Sequence, residues 1–215
     1  LAAGDGRIVF REPVPAAEVT RTLRGFEALL VVFSVSGVAA AQAATRTVPI
    51  VAMADDLALL NEGKVASIAR PGGNTTGVSM LGRLLDMKRL EVLHELVPQA
   101  RRIGIVTDGT ASALAELAKV EEAGRKLGLA IVTTHVRSAD QLSQGVPTLR
   151  DAGAEAVQFF ASTFLQAARR RFIDDVTKVK LPAIYEWPET VEEGGLSSYG
   201  PRLALCYRHL AVLTA

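Results

Sequence analysis

Hydroxyl, carboxylate and aromatic side chains recur just past the ends of short apolar runs in this chain, where they could grip a small molecule. Ser34 and Ser36 follow the run LLVVF (29–33) and precede an alanine-rich stretch. Hydroxyls beside the free N–H groups of a helix start suit a carboxylate; one of these serines can equally cap that helix. Asp55 and Asp56 follow VPIVAM (48–53). Either carboxylate can pair with a ligand ammonium group or stand in a solvated turn. Asp108 and Thr110 follow RIGIVT (102–107) and either meet a ligand or cap a helix starting near Ser112. Ser162, Thr163 and Phe164 follow AVQFFA (156–161), offering two hydroxyls and either an aromatic wall or a core ring. Glu186 and Trp187 end LPAIYEW (181–187), and the single tryptophan there is placed to wall a cleft. Tyr199 serves as a hinge or a ligand contact.

Catalytic sets are not spelled out. His94, His135 and His209 fall on a helix, a strand and a helix, with no partner at metal-ligand spacing. The glycine-rich stretch at 70–74 has neither phosphate-loop nor dinucleotide-fold spacing, and no G-x-S-x-G elbow occurs. The single cysteine, Cys206, excludes an internal disulfide and a cysteine-rich zinc site and reads as a buried helix residue. No cofactor, metal or catalytic residue is expected. With a net charge of +1, aromatics at 5 % and no basic stripe, nucleic acid is not an expected partner.

Elements to position those residues follow from periodicity. At 215 residues and 49 % hydrophobic content, the chain has the length for two lobes and enough apolar surface for a core in each. Strands are expected at 7–12, 29–34, 48–53, 102–107, 129–136, 156–161 and 181–187. Helices are expected at 15–24, 37–45, 84–97, 112–127, 139–152, 164–178 and 203–213. The helix at 84–97 carries apolar Leu84, Met87, Leu90, Leu93 and Val97 at helical spacing. Pro49 marks a strand start or an edge. Turn residues in 61–79 predict a crossover between lobes. Residues 21–44 carry arginines, an apolar run and small residues in the order of an export signal. They lie well inside the chain and are read instead as a buried strand, a turn and a helix, so that an export signal would lie outside this chain. Alternation of helix and strand gives parallel sheets covered on both faces, and ligands then bind beyond the carboxyl ends of the strands.

Several segments resemble a known family. ATRTVPIV (44–51), VASIARPGGNTTG (65–77), KRLEVL (88–93), LPAIY (181–185) and EGGLSSYG (193–200) are similar to segments of ABC-transporter substrate-binding proteins of the tryptophan/tyrosine-binding type. The likeness extends from about residue 28 to 207. Asp55-Asp56-Leu57 stands where that family usually has Gly-Asp-Pro. The resemblance implies a type I periplasmic-binding-protein fold: an α/β protein of two doubly wound parallel-sheet lobes joined by a hinge. The first lobe, 1–77, would lack its usual first strand and helix; the second would span 78–195, and 196–215 would return to the first. The ligand would be an aromatic amino acid or a similar small carboxylate, held by hinge closure. The partner would be an ABC permease in the membrane. The protein would be monomeric and periplasmic or otherwise extracytoplasmic, with or without a lipid anchor. An enzyme of Rossmann-like build and a sensory ligand-binding module of the same fold are the alternatives.

Overall fold

The computed structural model describes residues 3–4, 7–8, 29–32, 35–54, 65–67, 69–82 and 84–214. The chain divides into two compact units, Leu1–Met80 with Ala204–Ala215, and Leu81–Leu203.

In the first unit, β3 (Leu29–Val32), β4 (Ile50–Ala54) and β5 (Thr75–Ser79) form a parallel sheet in that order. Helix α1 (Val35–Ala44) connects β3 to β4. Its Val38 and Ala41 pack with Ile50, Ala52 and Val65. Within the export-like segment, the described residues 29–32 and 35–44 are a strand and a helix; residues 21–28 and 33–34 lie outside the described residues. Pro49 immediately precedes β4, the middle strand, where its missing N–H costs no ladder bond.

Two expectations need correction here. Arg7–Ile8 (β2) pairs antiparallel with Ala3–Gly4 (β1) rather than joining a parallel sheet. The rest of the expected strand 7–12 and the helix 15–24 lie outside the described residues. The second correction concerns 75–79, which is a strand and not part of the crossover. Gly72 and Gly73 adopt left-handed φ of 76° and 62°, so the turn ends at Asn74. The Asn74 side chain donates to the carbonyls of Val48 (2.7 Å) and Thr45 (3.3 Å), and its own carbonyl accepts from Ile50 N–H at 2.7 Å. That clamp starts β5 in register with β4, and β-branched Thr75, Thr76 and Val78 then favour extension.

The second unit holds β6 (Arg102–Thr107), β7 (Ala130–His135), β8 (Ala156–Phe159), β9 (Ala183–Tyr185) and β10 (Ser197–Ser198). They form one parallel sheet in the order β10-β9-β8-β6-β7. Helices α2 (Asp86–Leu96) and α3 (Ala111–Lys126) pack on one face, with Leu90, Leu93, Leu117 and Val120 against Ile103, Ile105, Ala156 and Ile184. The opposite face is covered by α4 (Ala139–Asp151), α5 (Thr163–Ala167) and α6 (Arg169–Val179). There Val146, Leu149, Leu165, Phe172 and Val176 meet Val106, Val157, Phe159, Ala183 and Tyr185. Alternate strand residues feed opposite cores, as a sheet buried on both faces requires.

The sequence expects one helix at 164–178. The chain makes two, because the Ala168 N–H bonds the Phe164 and Leu165 carbonyls and tightens the turn before α6 begins. A short helix, α7 (Pro188–Glu192), and the strand β10 were not expected. Helix α8 (Leu203–Thr214) ends the described chain.

At Gly77 the β5 backbone lies so close to β4 that a Cβ would collide with the backbone of Ala52. Gly77→Ala is expected to lower stability by about 1–3 kcal/mol, the usual range for overpacking, which urea denaturation would read directly.

Candidate functional site

The strand order of the second unit determines where to look. β7 lies on one side of β6, and β8, β9 and β10 follow on the other. The direction in which strands are added across the sheet therefore reverses between β6 and β8, and loops leaving the carboxyl ends of such neighbours diverge and open a crevice. β6 pairs with β8 up to Val106 opposite Phe159. Residues 107–110 and 160–162 are the loops concerned.

Both loops are built by side-chain bonds. The Asp108 carboxylate accepts from the Thr110 N–H at 3.0 Å and from the Thr110 hydroxyl at 2.8 Å. The Thr110 hydroxyl accepts from the Ala113 N–H at 3.4 Å and caps α3. Gly109 turns with φ of 65°, and the Arg137 guanidinium lies against it, donating to its carbonyl at 2.9 Å. In the other loop the Ser162 hydroxyl accepts from the Leu165 N–H at 3.5 Å and caps α5. Thr110 and Ser162 therefore act as caps, and Asp108 orders the turn before α3. Thr163 is the first residue of α5.

Glu186 follows β9 and is buried. Burial pushes its carboxyl up to about 8, although Arg89, the Trp187 indole and the Ser162 backbone amide pull the other way. Asp86 adds to the upward push. Trp187 is 3 % exposed, whereas Tyr199 is 39 % exposed. Tyr199 enters the architecture through its backbone: its N–H donates to the Tyr185 carbonyl at 3.0 Å, continuing β10 along β9. Ser36 lies in the first turn of α1, in the other unit from these residues. Ser34 and Asp55, with Asp56, lie outside the described residues.

Sequence reading missed the polar group on which this end of the unit is assembled. Arg89 is fully buried in α2. Its Nη1 donates to Asp86 at 2.6 Å and to the Gly82 carbonyl at 2.9 Å, and its Nε donates to the Tyr199 carbonyl at 2.8 Å. Gln158, in the middle of β8, donates to the Asp86 carbonyl at 2.8 Å. The inner face of α2 is Asp86, Arg89, Leu90 and Leu93, while Leu84 and Met87 are 41 % and 37 % exposed. The apolar stripe expected from the sequence thus holds only in its second half. A signal existed: Asp and Arg at i, i+3 on the helix can neutralise each other, and Gln158 is the one polar residue in an apolar strand.

Next to this group a shallow depression lies at the tips of β8 and β9. Phe159, Leu165, Phe172 and Tyr185 line it together with Arg169 and Glu186. Phe159 and Tyr185 stack with centroids 4.7 Å apart and planes at 7°. Burial raises the Tyr185 phenol as well. Among the described residues, no group of histidine, cysteine, aspartate and glutamate could hold a metal ion.

Comparison with known proteins places this geometry. A family profile described as ABC transporter substrate binding protein matches residues 11–203. Among curated proteins no sequence matches the chain. Among solved structures, the ABC domain from Streptococcus pneumonia in complex with L-Trp superimposes with a TM-score of 0.71 at 19 % identity. The match covers 93 % of this chain and 69 % of that one. A conserved domain protein from Vibrio cholerae gives 0.73 at 21 % identity, covering 93 % and 66 %. A solute binding protein of an ABC transporter from Rhodopseudomonas palustris, in complex with p-hydroxybenzoic acid, gives 0.58 at 13 % identity, covering 85 % and 52 %. This chain therefore spans roughly one half to two thirds of the length of these structures.

Two expectations follow. Arg89→Met removes the buried cation that pairs with Asp86 and should cost about 3–5 kcal/mol in denaturant unfolding. Adding Asp86→Asn should recover part of that loss. Glu186 keeps a proton in the folded protein that the unfolded chain releases at ordinary carboxylate pH. Stability should fall as pH rises from about 4.5 to 8, by at most about 1.4 kcal/mol per pH unit. Glu186→Gln cannot titrate, so its melting temperature should gain on that of the parent as pH rises from 5 to 8.

Proposed function

Because this chain belongs to the ABC transporter substrate binding protein family, we propose that it is the solute-binding component of an importer, delivering one small molecule to a membrane permease. The observation that carries the reading is the strand order of the second unit. It sets the loops 107–110 and 160–162 side by side at the carboxyl edge of a parallel sheet, where such sheets take ligands. Asp108, Thr110 and Ser162 belong to those loops, and Glu186, Trp187 and Tyr199 to the adjoining strand ends. Ser34, Ser36 and Asp55 are proposed as the contribution of the first unit, and Thr163 as a further hydroxyl of the second.

The proposed solute is an aromatic amino acid or a related small carboxylate. The resemblance of several sequence segments to the tryptophan/tyrosine-binding type supports this, as do the L-Trp and p-hydroxybenzoic acid complexes of proteins sharing the fold. Binding works by hinge closure: a ligand that makes its full set of contacts only in the closed state shifts the equilibrium toward it. The permease then reads the closed surface. Activity of this kind needs no covalent step, and the protein is proposed to act outside the cytoplasm as a monomer. Among the described residues no helix is long and apolar enough to cross a membrane.

Native mass spectrometry of freshly purified protein, followed by thermal shift with L-Trp, L-Tyr and 4-hydroxybenzoate, tests the reading. A cognate ligand at a hundred times its Kd should stabilise the fold by about 2.7 kcal/mol, and solution scattering should show a smaller radius of gyration. A retained small molecule of this class would support the proposal; absence of any ligand-dependent stabilisation across aromatic carboxylates and amino acids would overturn the solute class.

A further inference from the structure

The carbonyl of Gly109, in the middle of the 107–110 loop, is held by a side chain from another loop, Arg137, which follows β7. We propose that Arg137 is a positioning residue for the solute: it holds the 107–110 loop in shape for binding without touching the solute itself. This role rests on the reading of the chain as a solute-binding protein.

The loop satisfies most of its own donors. The Gly109 N–H donates to the Thr107 hydroxyl at 3.2 Å. The Thr110 N–H and hydroxyl donate to the Asp108 carboxylate, and the Thr110 oxygen accepts from the Ala113 N–H. All these bonds join residues two or three apart, so they shape a turn without tying it to its surroundings. The bond from Arg137 Nη2 to the Gly109 carbonyl, 2.9 Å long, crosses 28 residues. The direction of that carbonyl fixes the plane of the 109–110 peptide, and with it the approach of the Asp108 and Thr110 side chains flanking it. A cationic donor makes this bond stronger than one between neutral groups.

Glycine and arginine are matched here. A Cβ on residue 109 would lie 2.6 Å from Arg137 Nε and Nη2 and 3.0 Å from Cζ. The guanidinium therefore lies across the bare face of Gly109, in a contact that any side chain there would push away. The φ of 65° at Gly109 excludes most side chains on separate grounds. Arg137 is also fixed at its base. The Val136 N–H donates to the Thr107 carbonyl at 2.8 Å, which carries the β6–β7 pairing one residue past β7. Val136 is fully buried, and the Arg137 N–H donates to the Gln141 side chain at 2.8 Å. The guanidinium thus starts from a rigid point and splints one loop to the other, the kind of support that keeps a binding group in place.

Amide hydrogen exchange on the ligand-free full chain and calorimetry with L-Trp test this in the parent, Arg137→Met and Arg137→Lys. The methionine variant should exchange the Gly109 and Thr110 amides faster while its melting temperature and the amides of β8 and β9 stay as in the parent. Its Kd for L-Trp should rise roughly five- to ten-fold, as for loss of one charge-assisted hydrogen bond. Arg137→Lys keeps a donor and should fall between the two. The deficit should persist in 1 M NaCl, where a screening length of about 3 Å mutes a charge that acts only from a distance. Equal affinity of parent and Arg137→Met, a deficit abolished by the salt, or a lysine variant no better than methionine would each overturn the role of Arg137 and leave the solute-binding reading standing. A parent that binds no L-Trp would count against the solute class alone. The exchange measurement still judges Arg137 in that case, and unchanged exchange at Gly109 and Thr110 would overturn its role.

Discussion

A single guanidinium ties the second unit together at the carboxyl end of its sheet. Arg89 is enclosed on α2, yet none of its three hydrogen bonds goes to another side chain of an apolar core; they go to Asp86 and to the carbonyls of Gly82 and Tyr199. Gly82 lies just inside one boundary of the unit and Tyr199 just inside the other. The same residue therefore fastens both places where the chain enters and leaves. Leu81, the first residue of the unit, has φ of 51°, a conformation that costs a non-glycine residue energy and persists only where its surroundings impose it. A buried ion pair is a weak source of net stability. Its geometric effect is stronger, since moving either chain end means breaking a charge-assisted bond in a dry site.

The same anchor shapes the strand tips. Gly200 packs so closely on the backbone of Glu186 that a Cβ would collide with it, and the Arg89 guanidinium lies beside it. Tyr199 and Gly200 thus lock β10 and the end of β9 to α2. Glu186 ends up between that charged group and the Ser162 loop, where burial outweighs the attraction of Arg89. One structural tie sets the position of a strand end, the protonation of its carboxyl and the shape of the depression beside it.

Much of this was legible in the sequence, for physical reasons that also explain the rest. The strand 102–107 agrees to the residue, because a continuous apolar run flanked by polar residues has one way to be buried in a doubly covered sheet. Thr110 was readable as a cap because a hydroxyl three residues before a helical amide has a local task. The stripe on α2 was misread because periodicity counts apolar residues and cannot see that Asp86 and Arg89 cancel each other's charge in the interior. Residues 75–79 were misread for a different reason. The turn residues at 70–74 mask the extended preference of Thr75, Thr76 and Val78, and the pairing with β4, clamped by Asn74, fixes the strand.

The two ends of the second sheet also differ in where their charged groups lie. At the amino end, the exposed Glu155 carboxylate accepts from the backbone N–H groups of Arg101 and Arg102 at 2.6 and 2.9 Å, which lowers its pKa. The Arg102 side chain closes the same corner on the Ala152 carbonyl at 2.9 Å. At the carboxyl end lie Asp86, Arg89 and Glu186, all buried. Packing alone gives no reason for this asymmetry, because apolar residues of similar volume would fill the same space at less cost. The proposed solute site lies at that same edge, where the order of the strands reverses.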